Sequence, residues 1–242
     1  MDGAEVIDAG FEQECKRRER KLGRLARSLD VPIDSMTEAQ QWVLAMGIQA
    51  CRFRQGVSRA CRAEDTATAM VVLRALVELA INLRWLERDP SANVEKWLAA
   101  QYRQQLTTDR KWATERGGLS AVLTATEAAQ LTECREALKK RAGWSDHLAD
   151  RIDKADDVAW ILYCVEYFAL SSQAHSDRLA FHGFRSIDQA DGTHIRPGTD
   201  WDPVLVRAWG VRTLAIVLES VSRVCGLGIE QACNPLWNDP VS

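Results

Sequence analysis

Three polar side chains lie four residues apart at the end of an apolar segment of this chain. The stretch YFALSSQAHSD contains Tyr167, Ser171 and His175, which carry a phenol, a hydroxyl and an imidazole. Residues four apart share one face of an α-helix, so the three form a row. An imidazole with an ordinary pKa of about 6.5 can act as a general acid or base near neutral pH. His175 is therefore the first candidate for catalysis, with Tyr167 and Ser171 beside it.

A second polar row lies on the more apolar segment TATAMVVLRALVELAINLRWLER. Arg74, Glu78 and Asn82 follow one another at four-residue spacing, and each is rotated by only about 40° from the one before. The rest of the segment is apolar around most of its circumference, which is typical of a buried helix. Because burying unpaired charges is costly, we expect the row to face a wet cleft or partners inside a helical bundle. The row on the later helix, with Arg178 one turn beyond its histidine, is the expected partner.

Each of these residues has both a structural and a catalytic interpretation. In the structural one, Arg74 and Glu78 form an ion pair along one helix face, and His175 pairs with Glu78 to fix the helix register. In the catalytic one, the planar guanidinium of Arg74 holds a phosphodiester oxygen and His175 is the general base. No metal is expected, because one histidine and one glutamate are too few ligands and no Glu-x-x-His pair occurs. No cofactor is expected either.

Composition limits the class of protein. The chain has 242 residues, 27% charged residues and a net charge of −3, which is typical of a globular protein without a general attraction for nucleic acid. Seven cysteines without a CxxC motif are expected to be reduced core residues of a cytoplasmic protein. The N-terminal sequence lacks an apolar signal core, and polar residues interrupt the most apolar run, so neither secretion nor membrane association is expected.

The hydrophobic periodicity is helical in nearly every segment and predicts an all-α fold. A bundle of four long core helices is expected, with a helical insertion between the second and the third. The expected core helices are 38–62, 66–88, 156–176 and 203–225, and the insertion covers 91–154.

Sequence signals mark where these helices begin and end. Ser35 and Glu38 have the spacing of a capping box before the first core helix. Asp65 is the expected N-cap of the second, and Asp202, followed by proline, is that of the last. Gly226 is the expected stop signal of the last helix.

Three segments are expected to differ from the core of the bundle domain, which spans 35–228. Residues 1–34 form a peripheral polar helix whose basic run is a solvated face or a phosphate-contacting arm. A long irregular loop covers 179–201, with a short hairpin at its Asp-Gly pair, and loops of this length commonly cover a binding site. Residues 229–242 are expected to be a tail that is loose from Asn234 onward.

The run LRALVELAINLRWLERDP, followed much later by Tyr-x3-Ser-x3-His, resembles a family of mostly bacterial helical proteins known only as a domain of unknown function. The resemblance covers about residues 40 to 225. It implies that the shared polar positions are Arg74, Glu78, Tyr167, Ser171 and His175. The resemblance implies a helical fold, and it implies no particular activity, because none is established for the family.

The chain is also similar, more loosely, to the HEPN helical domains, many of which are metal-independent ribonucleases of bacterial toxin and phage-defence systems. Their motif places an arginine four to six residues before a histidine on a late helix. No arginine stands at those positions before His175, so Arg74 or Arg178 would have to supply the guanidinium. The similarity implies RNA as the substrate and an antitoxin or another protein as a partner.

Two further interpretations of the polar rows remain open. In the first, the rows bind a small ligand in a non-catalytic adaptor or sensor. In the second, they form a structural network, and function depends on oligomerisation. A homodimer fits the second interpretation, because tryptophan-rich ends of helical bundles are commonly buried against another copy.

Overall fold

The computed structural model describes residues 9–98, 156–167, 170, 184–189, 192–199 and 201–238, and it describes 184–189 and 192–199 by their backbone only. The expected helices within 99–155 lie outside the described residues. So do three candidate site residues, Ser171, His175 and Arg178.

Helices make up most of the described chain, and the all-α prediction is confirmed. They are α1 (Ala9–Leu25, continued by a 3-10 turn at Ala26–Leu29), α2 (Glu38–Arg62), α3 (Thr66–Leu86), α4 (described over 90–98), α5 (Asp157–Ile161, continued by a π-helix at Leu162–Tyr167), α6 (Pro203–Cys225) and α7 (Glu230–Asn238). Within the segment expected to be irregular, β1 (Phe184–Gln189) and β2 (Gly192–Thr199) form an antiparallel hairpin. The hairpin expected near the Asp-Gly pair is thus present.

Most of the expected helix boundaries are confirmed by capping contacts. The Asp65 carboxylate accepts a hydrogen bond from the Thr68 N–H at 3.0 Å and caps α3. The Asp202 carboxylate accepts from the Val204 N–H at 2.6 Å, with proline as the first residue of α6. Gly226 ends α6 with a φ of +69°, a left-handed conformation that glycine adopts without strain.

The capping box before α2 lies two residues later than expected. Thr37, not Ser35, is the N-cap, and its hydroxyl accepts from the Gln40 N–H at 3.3 Å. The Gln40 side chain accepts in return from the Thr37 N–H at 3.0 Å. The prediction was wrong because both spacings fit the motif, and the glutamine can replace the expected Glu38 as the reciprocal partner.

The core lies where α2, α3 and α6 pack together. Their buried side chains are aliphatic, and they include Val43, Ala50, Val57, Leu73, Leu76, Val77, Ile216 and Leu218. The π-helical segment packs against α3. Of the four expected core helices, three are thus seen as long helices, and the third in chain order is described only over its first part.

By length and composition α3 is the one described helix that could cross a membrane. Its most apolar 18-residue window has a mean hydropathy of 1.6, and 56% of that window is buried inside the protein. A core helix of a globular bundle has the same features. The buried Arg84 near its end pairs with Glu219 of α6, so this charge is compensated within the protein.

Close packing of α2 against α6 depends on Gly47. A Cβ atom at this position would lie 2.9 Å from Val221 Cγ2 and 3.5 Å from Leu29 Cδ1. We expect Gly47→Ala to lower the free energy of unfolding by about 1–3 kcal/mol, because the two helices would have to separate. Urea denaturation measures this change.

A matched glycine substitution controls for the change in helix propensity. Gly23 is exposed in the interior of α1, and a Cβ atom there would contact nothing within 4 Å. Gly23→Ala should therefore raise the stability by about 0.5–1 kcal/mol, since alanine restricts the unfolded chain. An equal gain in Gly47→Ala would contradict close packing between α2 and α6.

Both ends of the described chain pack on α6. From α1, Cys15 and Leu22 are buried. Residues expected to be a loose tail instead form α7, which buries Cys233 and Leu236. The Arg18 guanidinium of α1 donates to the carbonyl oxygen of Leu236 at 3.4 Å, so the two terminal helices are also joined to each other.

Candidate functional site

The two polar rows meet at Arg74 and Tyr167. Nη2 of Arg74 donates a hydrogen bond to the Tyr167 hydroxyl oxygen at 3.2 Å. The guanidinium carbon lies 5.3 Å from the centre of the same ring, which adds a cation–π contact. Both side chains are half-buried. The two rows were expected to meet, and the first residue of each row, Arg74 and Tyr167, does contact the other.

The helix that carries Tyr167 is wound differently from the prediction. The sequence predicts a continuous α-helix over 156–176, but after Ile161 the chain forms a π-helix to Tyr167. In a π-helix the hydrogen bonds run from i to i+5, so the turn is wider and residues four apart are more nearly aligned. The rings of Tyr163 and Tyr167 accordingly stack with centres 5.5 Å apart and planes 16° apart. Short π-helical stretches are frequent at functional sites.

The other members of the α3 row behave differently from the expected ion pair. Within the described residues Arg74 contacts Tyr167, and no ion pair joins it to Glu78, so the ion pair of the structural interpretation is not formed there. A residue on the facing helix competes with the i+4 neighbour, because the guanidinium gains both a hydrogen bond and a ring face there. Glu78 is half-buried, and Asn82 is buried with its carbonyl oxygen lacking a donor among the described residues.

The roles of Ser171, His175 and Arg178 remain predictions. These residues lie outside the described part of the chain. Tyr167 is four residues before Ser171 and eight before His175. It is the described member of this row, and it contacts Arg74 of α3.

Sequence reasoning missed a buried charge network at the other end of α3. Arg84 is 3% exposed and Glu219 of α6 is 1% exposed. Arg84 Nη2 lies 2.8 Å from Glu219 Oε2, and Arg223 Nη2 lies 2.5 Å from Glu219 Oε1. Glu87 joins the network through Arg223 at 2.7 Å, and Asp156 lies 3.7 Å from Arg84. We call these five residues the Glu219 network.

The signal for this network is present in the sequence. Glu219 is the only acidic residue in α6, whose sequence is PVLVRAWGVRTLAIVLESVSRVC, so it requires a cation in the core. Arg84 is the basic residue of α3 that lies off the Arg74 row. Which cation meets which anion depends on how each helix is rotated about its axis, and spacing along one helix does not determine that.

A second charge cluster attaches α1 to the bundle. Glu19 of α1 receives two hydrogen bonds from Arg207 of α6, at 2.8 and 3.2 Å, and one from the Ser58 hydroxyl at 3.1 Å. Arg54 of α2 forms an ion pair with the same carboxylate. Burial by itself raises the pKa of Glu19, but the Arg207 hydrogen bond and the charges of Arg54 and Arg207 outweigh it, and the net shift is downward.

This lowered pKa predicts an acid-dependent loss of stability. The unfolded chain, in which Glu19 has its ordinary pKa of 4.5, binds the proton more readily than the folded chain does. The stabilisation is therefore complete above pH 4.5 and is lost as the pH falls through the lower folded-state pKa. We expect Glu19→Gln to be less stable than wild type at pH 7, and the difference to shrink below pH 4.5. Urea denaturation across this range tests it, and a difference independent of pH would contradict it.

Burial makes the described cysteine thiols weakly acidic. Burial raises the pKa of Cys15, Cys51, Cys61 and Cys225 to about 11, and that of Cys233 to about 12. Because the thiolate is the reactive form, such thiols are poor nucleophiles at neutral pH. Within the part of the chain that the structure describes, no group of three or more His, Cys, Asp or Glu side chains is placed to hold a metal ion.

Comparison with known protein families identifies where the chain belongs. The profile of a family of unknown function, DUF5677, matches residues 40–193, which is more than half of the chain. The chain is a member of the DUF5677 family. The DUF5677 match contains the contact between Arg74 and Tyr167, whereas α1, α6 and α7 lie outside it. No curated protein and no solved structure matches the chain.

Proposed function

We propose that this DUF5677 protein acts on RNA as a HEPN-like, metal-independent endoribonuclease in a toxin or phage-defence system. The observation that carries the proposal is the position of the Arg74 guanidinium against Tyr167. It brings an arginine from α3 to the helix on which the sequence places His175 eight residues later. The guanidinium that is missing before His175 in the sequence would then come from a different helix.

The chemistry requires three roles that these residue types can fill. His175, as general base, takes the proton of a ribose 2′-hydroxyl, whose oxygen then attacks the neighbouring phosphorus. The guanidinium of Arg74, or of Arg178, stabilises the charge of the pentacoordinate phosphorane. The bond to the 5′-oxygen breaks as that oxygen takes up a proton from water or from the imidazolium of His175, which has just received the 2′-hydroxyl proton, giving a 2′,3′-cyclic phosphate and a 5′-hydroxyl. Glu78 and Tyr167 orient the imidazole and the guanidinium. Ser171 lies between Tyr167 and His175 in the sequence.

The described side of the site also fits single-stranded RNA. Tyr163 and Tyr167 form a stacked aromatic pair beside the Arg74 cation. Aromatic faces that stack on bases, combined with a cation that contacts the phosphate backbone, are typical of proteins that bind single strands. Duplex RNA, whose bases are already stacked, should be a poorer substrate.

The test is incubation of the pure full-length protein with single-stranded RNA in EDTA, beside a His175→Ala variant of equal melting temperature. We expect cleavage by the wild type alone, with cyclic phosphate at the new 3′ ends. Cleavage by both proteins would remove His175 from the mechanism. Cleavage by neither, across several RNA sequences, would overturn the proposal.

A non-catalytic, ligand-binding function of the same rows is the second candidate. It is favoured by Asn82, whose carbonyl oxygen is buried and has no donor among the described residues. A small ligand with a donor group could satisfy this atom and would raise the melting temperature of the protein. A nucleotide and metabolite screen on wild type and Asn82→Leu should then give a shift in the wild type only.

A further inference from the structure

A cavity separate from the polar rows lies between α1, α6 and α7. Its volume is about 330 Å³, which is at the lower end of the range for small-molecule sites. Phe11 of α1, Trp209 of α6 and Trp237 of α7 line it with aromatic surface, and Leu205 and Val211 add aliphatic surface. The space is thus suited to one compact, largely apolar ligand.

The polar groups of the lining favour a negative charge on that ligand. Two arginines, Arg18 and Arg212, line the cavity, and none of its described lining residues is acidic. Arg18 is held in place by an ion pair with Glu14, which accepts from its Nε at 2.8 Å and compensates part of its charge. The indole N–H of Trp237 is buried and has no acceptor among the described residues. A carboxylate in the cavity can accept two parallel hydrogen bonds from an arginine fork.

The cavity is also independent of the proposed RNA site. All of its lining residues come from α1, α6 and α7, which lie outside the match to DUF5677, whereas Arg74 and Tyr167 lie within it. The Trp237 wall has a fixed support, because the Arg84 guanidinium lies 5.8 Å from the centre of its ring. Two helices from the ends of the described chain therefore build a site that the family profile does not include.

From this combination of space, aromatic walls and charge we infer that the cavity binds a small aromatic carboxylate. The rings lie against Phe11, Trp209 and Trp237. The carboxylate lies toward Arg18 and Arg212. A neutral compound of the same shape gains the apolar contacts but not the charge-assisted hydrogen bonds, so it binds more weakly.

Fluorescence titration of the full-length protein with anilinonaphthalene sulfonate tests this inference. The probe carries an aromatic anion and becomes fluorescent in an apolar site, and phenylnaphthylamine is its neutral counterpart. We expect one site per chain and displacement of the probe by naphthoate. Arg212→Gln should weaken the anionic probe about tenfold or more and leave the neutral one unchanged. Ala208→Trp should fill the space and abolish binding of both.

The control is Arg52→Gln, which removes an exposed arginine of α2 that does not line the cavity and should bind as wild type. Arg212→Gln with wild-type affinity for both probes would overturn the inference. So would several equivalent sites per chain, or failure of naphthoate to compete. If Ala208→Trp does not fold, the comparison of the two probes on Arg212→Gln decides the question alone. Neither variant touches Arg74 or Tyr167, so RNA cleavage should persist in both.

Discussion

Replacement of Glu219 by glutamine is expected to lower the free energy of unfolding by about 3–5 kcal/mol. The two carboxylate oxygens of Glu219 each have an arginine partner, Arg84 at 2.8 Å and Arg223 at 2.5 Å. Glutamine carries no charge, and its amide nitrogen would face one of the guanidinium groups. Arg84, which is almost fully buried, would then lose its shortest ion pair and keep only the longer contacts with Glu87 at 3.5 Å and Asp156 at 3.7 Å.

Urea denaturation of wild type and Glu219→Gln measures this effect. The control is Glu12→Gln in α1, which removes an exposed carboxylate paired with Lys16 at 2.6 Å. Exposed ion pairs contribute little, so this variant should keep the wild-type denaturation midpoint. If Glu219→Gln were as stable as Glu12→Gln, the network would not contribute to the stability of the bundle.

A double replacement shows how much the intact Arg84–Glu219 ion pair contributes to the free energy of unfolding, as distinct from the destabilisation caused by removing one partner. Arg84→Met with Glu219→Leu removes both buried charges and substitutes apolar side chains. Removing a whole buried ion pair is often neutral or stabilising, whereas removing one partner is not. We therefore expect the double variant to be more stable than either single variant. This result would mean that the pair specifies how α3 and α6 meet more than it stabilises them.

The helical framework could be read from the sequence because its signals are local. Asp65, Asp202 and Gly226 act through their own backbone and the next few residues, and all three mark the expected boundaries. The signals failed where two neighbouring residues both fit the same motif, as at the capping box, where Thr37 and not Ser35 is the N-cap. They also failed where an apolar pattern is short, as in α7, whose two buried side chains are spaced within one turn.

The candidate site was only partly predictable, because it depends on contacts between helices. Two polar rows on apolar helices indicate that the rows should meet, and Arg74 does meet Tyr167. Helical spacing alone favoured Glu78 as the partner, since it does not include the competing ring on the facing helix. The π-helical winding before Tyr167 was also not predictable, because it changes the hydrogen-bond pattern without any change in residue type that signals it.

The Arg74→Met variant of the proposed ribonuclease should cleave RNA about 100 to 1,000 times more slowly than wild type. This is the usual effect of removing one group that stabilises charge in a transition state. Methionine keeps the apolar stem of the side chain but can neither donate to Tyr167 nor hydrogen-bond a phosphate. Arg74 is only half-buried, so the fold should persist, and equal melting temperatures would show that it does. Single-turnover cleavage of RNA in EDTA gives the rate.

Two companion variants assign the source of the guanidinium. Tyr167→Phe keeps the ring beneath Arg74 but removes the hydroxyl that accepts its hydrogen bond, so it should slow cleavage less than Arg74→Met does. Arg178→Met should have little effect if the guanidinium comes from α3. The reverse order, with Arg178 essential and Arg74 dispensable, would place the phosphate-binding group on the same helix as His175. The contact between Arg74 and Tyr167 would then serve only to join α3 to the π-helical segment.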